Sequence, residues 1–435
     1  MPVATYDAIV IGAGVMGCSV AHALGSTGRS VAVVERGPTA ACGSTSASSA
    51  IVRFNYSTEV GVATAWESKH LWEAWSEHLG ARDDAPLARF IRTGGLALDT
   101  PRQDQARVAA LFERLGVPYE LWDAATIRRR LPAVDPRSYY PPRDVADERF
   151  WEDPTGELGG IWTPDAGFVD DPQLAAHNLM AAARARGATF LFGSAVTSIA
   201  TAGGRAAGIG LAGGSALSAP VVVNAAGPHS GMVNKMAGVG DDFTVSTRPL
   251  RQEVHVVPDT PGFNATGPGP FVADLDLGTY FRGTPSGTLL VGGTEPECDP
   301  LDWLEDADDF SVEPTQAVYQ AQLYRVARRM PELGVPSAPK GVAAAYDVSD
   351  DWIPIYDRTA LAGYYVAIGT SGNQFKNAPL VGTYLAAIIE ACESGADHDL
   401  QPTRVRLPVT GVEVDLSHYS RKRPVNRESS FSVMG

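Results

Sequence analysis

With 435 residues, 44% of them hydrophobic, the chain exceeds one typical domain and carries enough apolar material for a large core. Its 35 Lys and Arg stand against 50 Asp and Glu, a formal charge of −15, which argues against a broad phosphate-neutralising face and so against a nucleic-acid partner. Four cysteines without CxxC spacing indicate neither a metal site nor a disulfide framework. No stretch approaches the roughly 18 apolar residues of a spanning helix, so a cytoplasmic protein with no membrane partner is expected.

Residues 7–11, DAIVI, are continuously apolar after the aspartate and read as a buried parallel strand. Gly12, Gly14 and Gly17 follow as a GxGxxG turn: the first permits the bend, the second admits a pyrophosphate, and the third seats a helix over about 16–24. That helix aims its N-terminal N–H groups, at Val15 and Met16, toward the phosphates. A second buried strand, 30–34, ends in Glu35, 35 − 17 = 18 residues past the last glycine, where a carboxylate binds ribose hydroxyls and disfavours NADP. This βαβ unit, closed by Glu35 and Arg36, predicts a bound dinucleotide. Residues 37–57 are small and polar; Ser44, Thr45, Ser46 and Ser49 offer donors to a cofactor. Arg53, in the same loop, is equally a surface charge or a carboxylate clamp.

Residues 62–80 place apolar side chains at helical spacing, with a tryptophan stripe that reads as core. A strand of a different sheet is expected at 91–99, then helices at about 103–116 and 123–130. Residues 134–160 have no period, and read as a lid, a protein-partner contact or an ordinary surface excursion. A helix at 172–186, a hairpin at 196–211 and a buried strand at 221–227 follow. The last ends in small residues, Ala225, Ala226 and Gly227, which leave room for a flat cofactor. Alternating strands from 244 to about 290 indicate a half-buried antiparallel sheet. A helix at 313–332, a strand at 363–369, the turn TSGNQFKN and a last helix complete the pattern. Arg421-Lys422-Arg423 reads as a solvated tail. The fold class is α/β, a Rossmann-like nucleotide domain (1–90, 156–243 and 345–435) interleaved with an antiparallel-sheet α+β substrate domain (91–155 and 244–344).

Across nearly its whole length the chain resembles the D-amino-acid-oxidase-like flavoenzymes, within them the branch of sarcosine oxidase and the sarcosine oxidase β-subunit. The resemblance rests on IVIGAGVMG, VVERG, STSASSAIVR, GIWTPDAGFVDDPQLA, VVNAAGP, RPLRQEV, YFRGTPSGTLLVGG, AYDVSDDWIPIYD and YYVAIGTSGNQFKNAPLVG, in order. It implies FAD, with Gly372, Asn373, Gln374 and Phe375 at the cofactor. It implies that Lys376 lies near flavin N5 and promotes reaction with oxygen, that Arg53 holds a substrate carboxylate, and that Tyr346 stands beside the substrate. Tyr280 and Arg282, alternate residues on one strand, face one side and line the pocket or an exposed sheet face.

Three departures qualify the resemblance. Ala344 replaces the cysteine that attaches FAD in monomeric sarcosine oxidases, so FAD is expected to be non-covalent. The catalytic histidine of that branch falls at Gly293, and the GFSGHGFK histidine becomes Asn373. The GxRP-type arginine is missing near 344–354. The expected activity is oxidation of the C–N bond of an amino acid or N-alkyl amine, with oxygen or an electron-accepting partner reoxidising the flavin. The alternatives are a 2-hydroxy acid dehydrogenase, for which His229 and His255 are the candidate bases, and a flavin-binding subunit of a hetero-oligomer.

Overall fold

A computed structural model describes residues 4–80, 86–101 and 105–435. The first sheet has six strands in the order Thr189–Leu191, Val31–Val34, Ala8–Ile11, Val221–Asn224, Tyr364–Ile368 and Ile355–Arg358. All neighbours run parallel except the last pair. Being buried on both faces, these strands are continuous apolar runs. Ala8 and Val10 point toward the helices Val15–Ser26, Pro172–Ala185 and Ala378–Glu393; Ile9 and Ile11 point to the opposite face, against Ile199, Ile209 and Leu217 of a smaller antiparallel layer.

Close approach explains two glycines. A Cβ on Gly17 would stand 1.9 Å from the Gly12 carbonyl oxygen, and one on Gly382 would stand 2.1 Å from that of Ser19. Both contacts are with backbone, which cannot rotate away. Gly17→Ala is therefore expected to lift the first helix off its turn, costing about 1–3 kcal/mol and weakening cofactor retention. Urea denaturation measures the first effect, and the amount of dinucleotide retained by the purified protein the second.

The second sheet runs Asp302–Trp303, Thr247–Pro258, Thr288–Gly293, Thr279–Gly283, Phe271–Asp274, Gly95–Leu98, Gly160–Thr163 and Glu120–Trp122, with Gly341–Ser349 also paired to Thr247–Pro258. It is antiparallel save for one parallel pair, Phe271–Asp274 with Gly95–Leu98. Val257, Phe281 and Val291 turn one face of it toward Tyr319, Leu323 and Val326 of the helix Gln316–Arg329. The other face turns toward the nucleotide unit.

Several sequence expectations change in detail. The amphipathic stretch 62–80 is two helices, Glu59–Glu73 and Trp75–Leu79, and Trp72 and Trp75 of its stripe are core. The start of the expected helix at 103–116 falls outside the described residues, which show Gln105–Leu115. Gly160–Thr163 pairs with Gly95–Leu98 and Glu120–Trp122, so the chain leaves the second sheet after 163 rather than at 156. Gly341–Ser349 carries that sheet through the expected border at 345.

The 134–160 excursion is pinned, not loose. Arg329 donates to the carbonyls of Asp135 and Arg137, Arg325 to that of Arg143, and Asp276 accepts from Ser138 Oγ and Tyr139 N–H. Nor is the basic cluster a solvated tail. Arg421 is 1% exposed and bridges Asp242, Asp357 and Asp399, while Arg423 pairs with Asp351. Their partners come from distant segments, which local composition does not reveal.

Candidate active site

A cavity of about 660 Å³ runs from the glycine turn to the underside of the second sheet. At its first end stand Gly12, Gly14, Val15 and Met16. Glu35 closes the turn, one carboxylate oxygen accepting from Ala13 N–H at 2.9 Å and the other from Gly37 N–H at 2.8 Å. Arg36 lines the same end in an ion pair with Asp308 (2.6 Å), to which His229 also bonds at 3.0 Å. Gly17 lies behind the wall, against Gly12.

The loop after the second strand forms the long side of the cavity. Thr45 Oγ1 accepts from Val15 N–H at 3.1 Å, Ser44 Oγ donates to the Ala345 carbonyl at 2.7 Å, and Ser46 Oγ to that of Gly43 at 2.9 Å. The facing side is built from small residues, Ala225, Ala226 and Gly227 with Ala343, Ala344 and Ala345. The donor loop, the small-residue walls and the helix N-terminus fit an extended dinucleotide carrying a flat ring system.

The inner end holds two buried cations. Lys376, 3% exposed, donates from Nζ to Tyr56 Oη at 2.9 Å and to the Asn373 carbonyl. Burial, and then the nearby Arg53 charge, hold its pKa well below the ordinary lysine value. Arg53, also 3% exposed, donates to the carbonyls of Asn55, Val433 and Met434, the last two at 2.7 Å. The turn before Lys376 is fixed by its amides: Gln374 Nε2 donates to Asn373 Oδ1 at 2.5 Å, and Asn373 Nδ2 to the Trp352 carbonyl at 3.2 Å. Phe375 stacks on Trp72, whose indole N–H donates to the Lys376 carbonyl at 2.7 Å. Tyr346 lies over Gly372, which has φ +66°, and a Cβ there would meet the ring at 2.3 Å. Tyr280 Oη bonds Ser49 Oγ at 2.8 Å.

Arg282 is placed differently from expectation. It is buried, its Nε and Nη1 are spent on the carbonyls of Ser49 and Gly283, and its guanidinium lies 3.9 Å from the Phe168 ring centroid. It braces the serine loop from outside the cavity. His255 is likewise away from it, held between Glu253 and Gln322.

Three acidic or phenolic groups at this end are not singled out by the sequence: Tyr56, Asp347, which lies within the segment AYDVSDDWIPIYD, and Glu295. Tyr56 follows Arg53 by three positions, the one signal that marks it. Burial pushes the Asp347 carboxyl up to about 7. The folded protein then keeps a proton that the unfolded chain loses near pH 4, so stability falls as pH rises from about 4 to about 7. Asp347→Asn is expected to flatten that fall without abolishing it, since Glu295 adds a slope of the same sign. Urea denaturation at pH 5 and pH 7 gives the comparison.

A glycine turn, an acidic strand end and a buried lysine around one elongated cavity define a dinucleotide-dependent oxidoreductase built from two interleaved sheets. Residues 7–388 match the family model described as DAO, FAD dependent oxidoreductase, and the chain belongs to that family. The enzyme is therefore a flavoprotein that uses FAD. It is 24% identical over 425 residues to FAD-dependent oxidoreductase domain-containing protein 1 of Bos taurus, covering 89% of this chain and 82% of that one. To monomeric sarcosine oxidase of Streptomyces avermitilis it is 35% identical over 137 residues, 30% of this chain and 34% of that one. Among solved structures, L-proline dehydrogenase from P. horikoshii superposes with a TM-score of 0.72 at 22% identity, over 97% of this chain and 98% of that one. No helix among the described residues is long and apolar enough to cross a membrane.

Proposed function

We propose that this enzyme oxidises the C–N bond of an amino acid or N-alkyl amine to an imine, with FAD held non-covalently. The observation that carries this reading is the pairing of buried Arg53 with buried Lys376 at the inner end of the cavity. FAD, when bound, supplies the two-electron oxidant. Residues 12–16, Glu35 and the serine loop hold its phosphates and ribose, and Ala344 offers no thiol for attachment. Arg53 receives the substrate carboxylate, a charge-assisted contact that fixes one end of the substrate. Tyr346 and Tyr280 border the reacting carbon. Lys376, aimed by Tyr56 and Asn373, places N–H donors where charge develops on oxygen during reoxidation.

An amine reacts as its neutral form, whereas a hydroxy acid requires a base for its hydroxyl proton. His255 is locked in the second sheet, and His229 is bound to Asp308 at the nucleotide end, so both candidate bases stand away from Arg53. This favours the amine. The test is anaerobic mixing of the holoenzyme with panels of amino acids, N-methyl amino acids and 2-hydroxy acids. Bleaching of the flavin band by amines alone is expected; bleaching by hydroxy acids alone would overturn the assignment.

A further inference from the structure

Residues 429–434 return to the inner end of the cavity, and Val433 and Met434 form part of its wall. Val433 makes a distinctive set of bonds. Its N–H donates to Glu295 Oε2 at 2.7 Å, and its carbonyl accepts from Arg53 Nη2 at 2.7 Å. The Met434 carbonyl accepts from the same Nη2 at 2.7 Å. One tetrahedral carbon thus separates a nitrogen facing a carboxyl from a carbonyl facing a guanidinium. That is the order of donor and acceptor in an α-amino acid, and the Met434 oxygen adds a second acceptor at the same guanidinium nitrogen.

Glu295 has the character of a built receptor. It follows the strand Thr288–Gly293 with φ +49°, a left-handed conformation that a non-glycine residue holds only at a cost. It is 9% exposed, and Tyr280 and Tyr346 are the pocket side chains that interact with its charge; Asp299, committed to Arg325, is the other acid near it. Burial pushes its carboxyl up to about 8. That lies close enough to an amino acid's ammonium for one proton to pass between them.

We propose that Glu295 and Arg53 together form the amino-acid clamp of this enzyme, Glu295 taking the substrate's amine and Arg53 its carboxylate, and that the backbone of Val433 and Met434 is a displaceable strap occupying both. When substrate enters, the strap's three bonds exchange for those of the ligand. In its ionised form, the fraction of which grows as pH rises toward about 8, Glu295 then takes one proton from the ammonium: an N–H bond breaks, an O–H bond forms, and a neutral amine is left facing the oxidant. The inference rests on the functional reading above and names the residue that selects amino acids over plain carboxylates.

The test compares glycine, sarcosine and proline with propionate, methoxyacetate and tetrahydrofuran-2-carboxylate, which match them in shape but lack the amine. Calorimetric titration of the holoenzyme with its flavin pre-reduced by dithionite, under nitrogen so that no substrate is oxidised, gives each Kd, for the full chain and for a chain ending at Glu428. Val433→Pro, which removes the N–H donor to Glu295 within an otherwise full chain, provides a second way to loosen the strap if the shortened chain misfolds. Removing or loosening the strap should tighten amino acids and carboxylates alike, by tenfold or more for the shortened chain. Glu295→Gln in the loosened background should weaken amino acids at least tenfold and leave the carboxylates within twofold. Unchanged affinities on loosening, or equal losses for both sets with Glu295→Gln, would overturn the clamp. If amino acids still bleach the wild-type flavin in that case, the functional reading stands alone. If no amine bleaches or binds any form, both fall.

Discussion

Lys376→Met is expected to slow reoxidation of the reduced flavin by oxygen by about 10²–10³-fold, the loss typical of a preorganised donor at a developing negative charge, while anaerobic reduction by substrate changes less than tenfold. The asymmetry follows from the location of Lys376. Its ammonium is buried, aimed by Tyr56 and the Asn373 carbonyl, and surrounded by few other charges than Arg53. A cation so placed has no water to screen it. Its lowered pKa adds a second expectation with a definite sign: the cationic fraction falls as pH rises, so the wild-type oxygen reaction slows toward alkaline pH and that of the variant stays flat. Stopped-flow traces of the two half-reactions across pH 6–10 contain both results. Equal slowing of both halves would remove Lys376 from the oxygen step.

Arg329→Met carries the largest expected loss of stability, about 3–5 kcal/mol, the usual consequence of removing one partner from a buried ion pair. Arg329 is fully buried, donating to Asp274 Oδ2 at 2.8 Å and to Asp276 Oδ2 at 2.9 Å, both carboxylates being equally buried. Without it two adjacent acids lose the counter-charge they share. The Asp276 carboxyl is already raised by burial and by Asp274 even with the arginine present. The same guanidinium holds the carbonyls of Asp135 and Arg137, so the excursion over 134–160 should loosen too. Urea denaturation measures the first effect, and the rate of proteolytic cutting within 134–160 the second.

What could be read from the sequence was local. The glycine turn, the acidic strand end and the alternating strands are set by residues within one turn or one pleat of each other, and the structure places them as their periods require. What could not be read is long-range pairing. Nothing near Arg421 announces Asp242, Asp357 and Asp399, so a buried ion-pair hub looked like a charged tail. Arg282 alternates with Tyr280 along one strand, yet its guanidinium reaches back to the serine loop. Glu295 and Val433 meet across 138 positions, a separation at which no spacing rule operates.

The weave of the first sheet has a consequence for synthesis. Ala8–Ile11 and Val31–Val34 leave the ribosome first, but Val221–Asn224, which flanks Ala8–Ile11 on its other side, follows some two hundred residues later, and Tyr364–Ile368 later still. Between them the growing chain must lay down most of the second sheet. Pairings of such separation form slowly, and an unpaired central strand is exposed meanwhile. A nascent chain halted before residue 355 owns the whole glycine turn yet lacks the segment bearing Lys376. The cavity lined by that turn is therefore completed late in biogenesis, by residues 370–376 and 433–434.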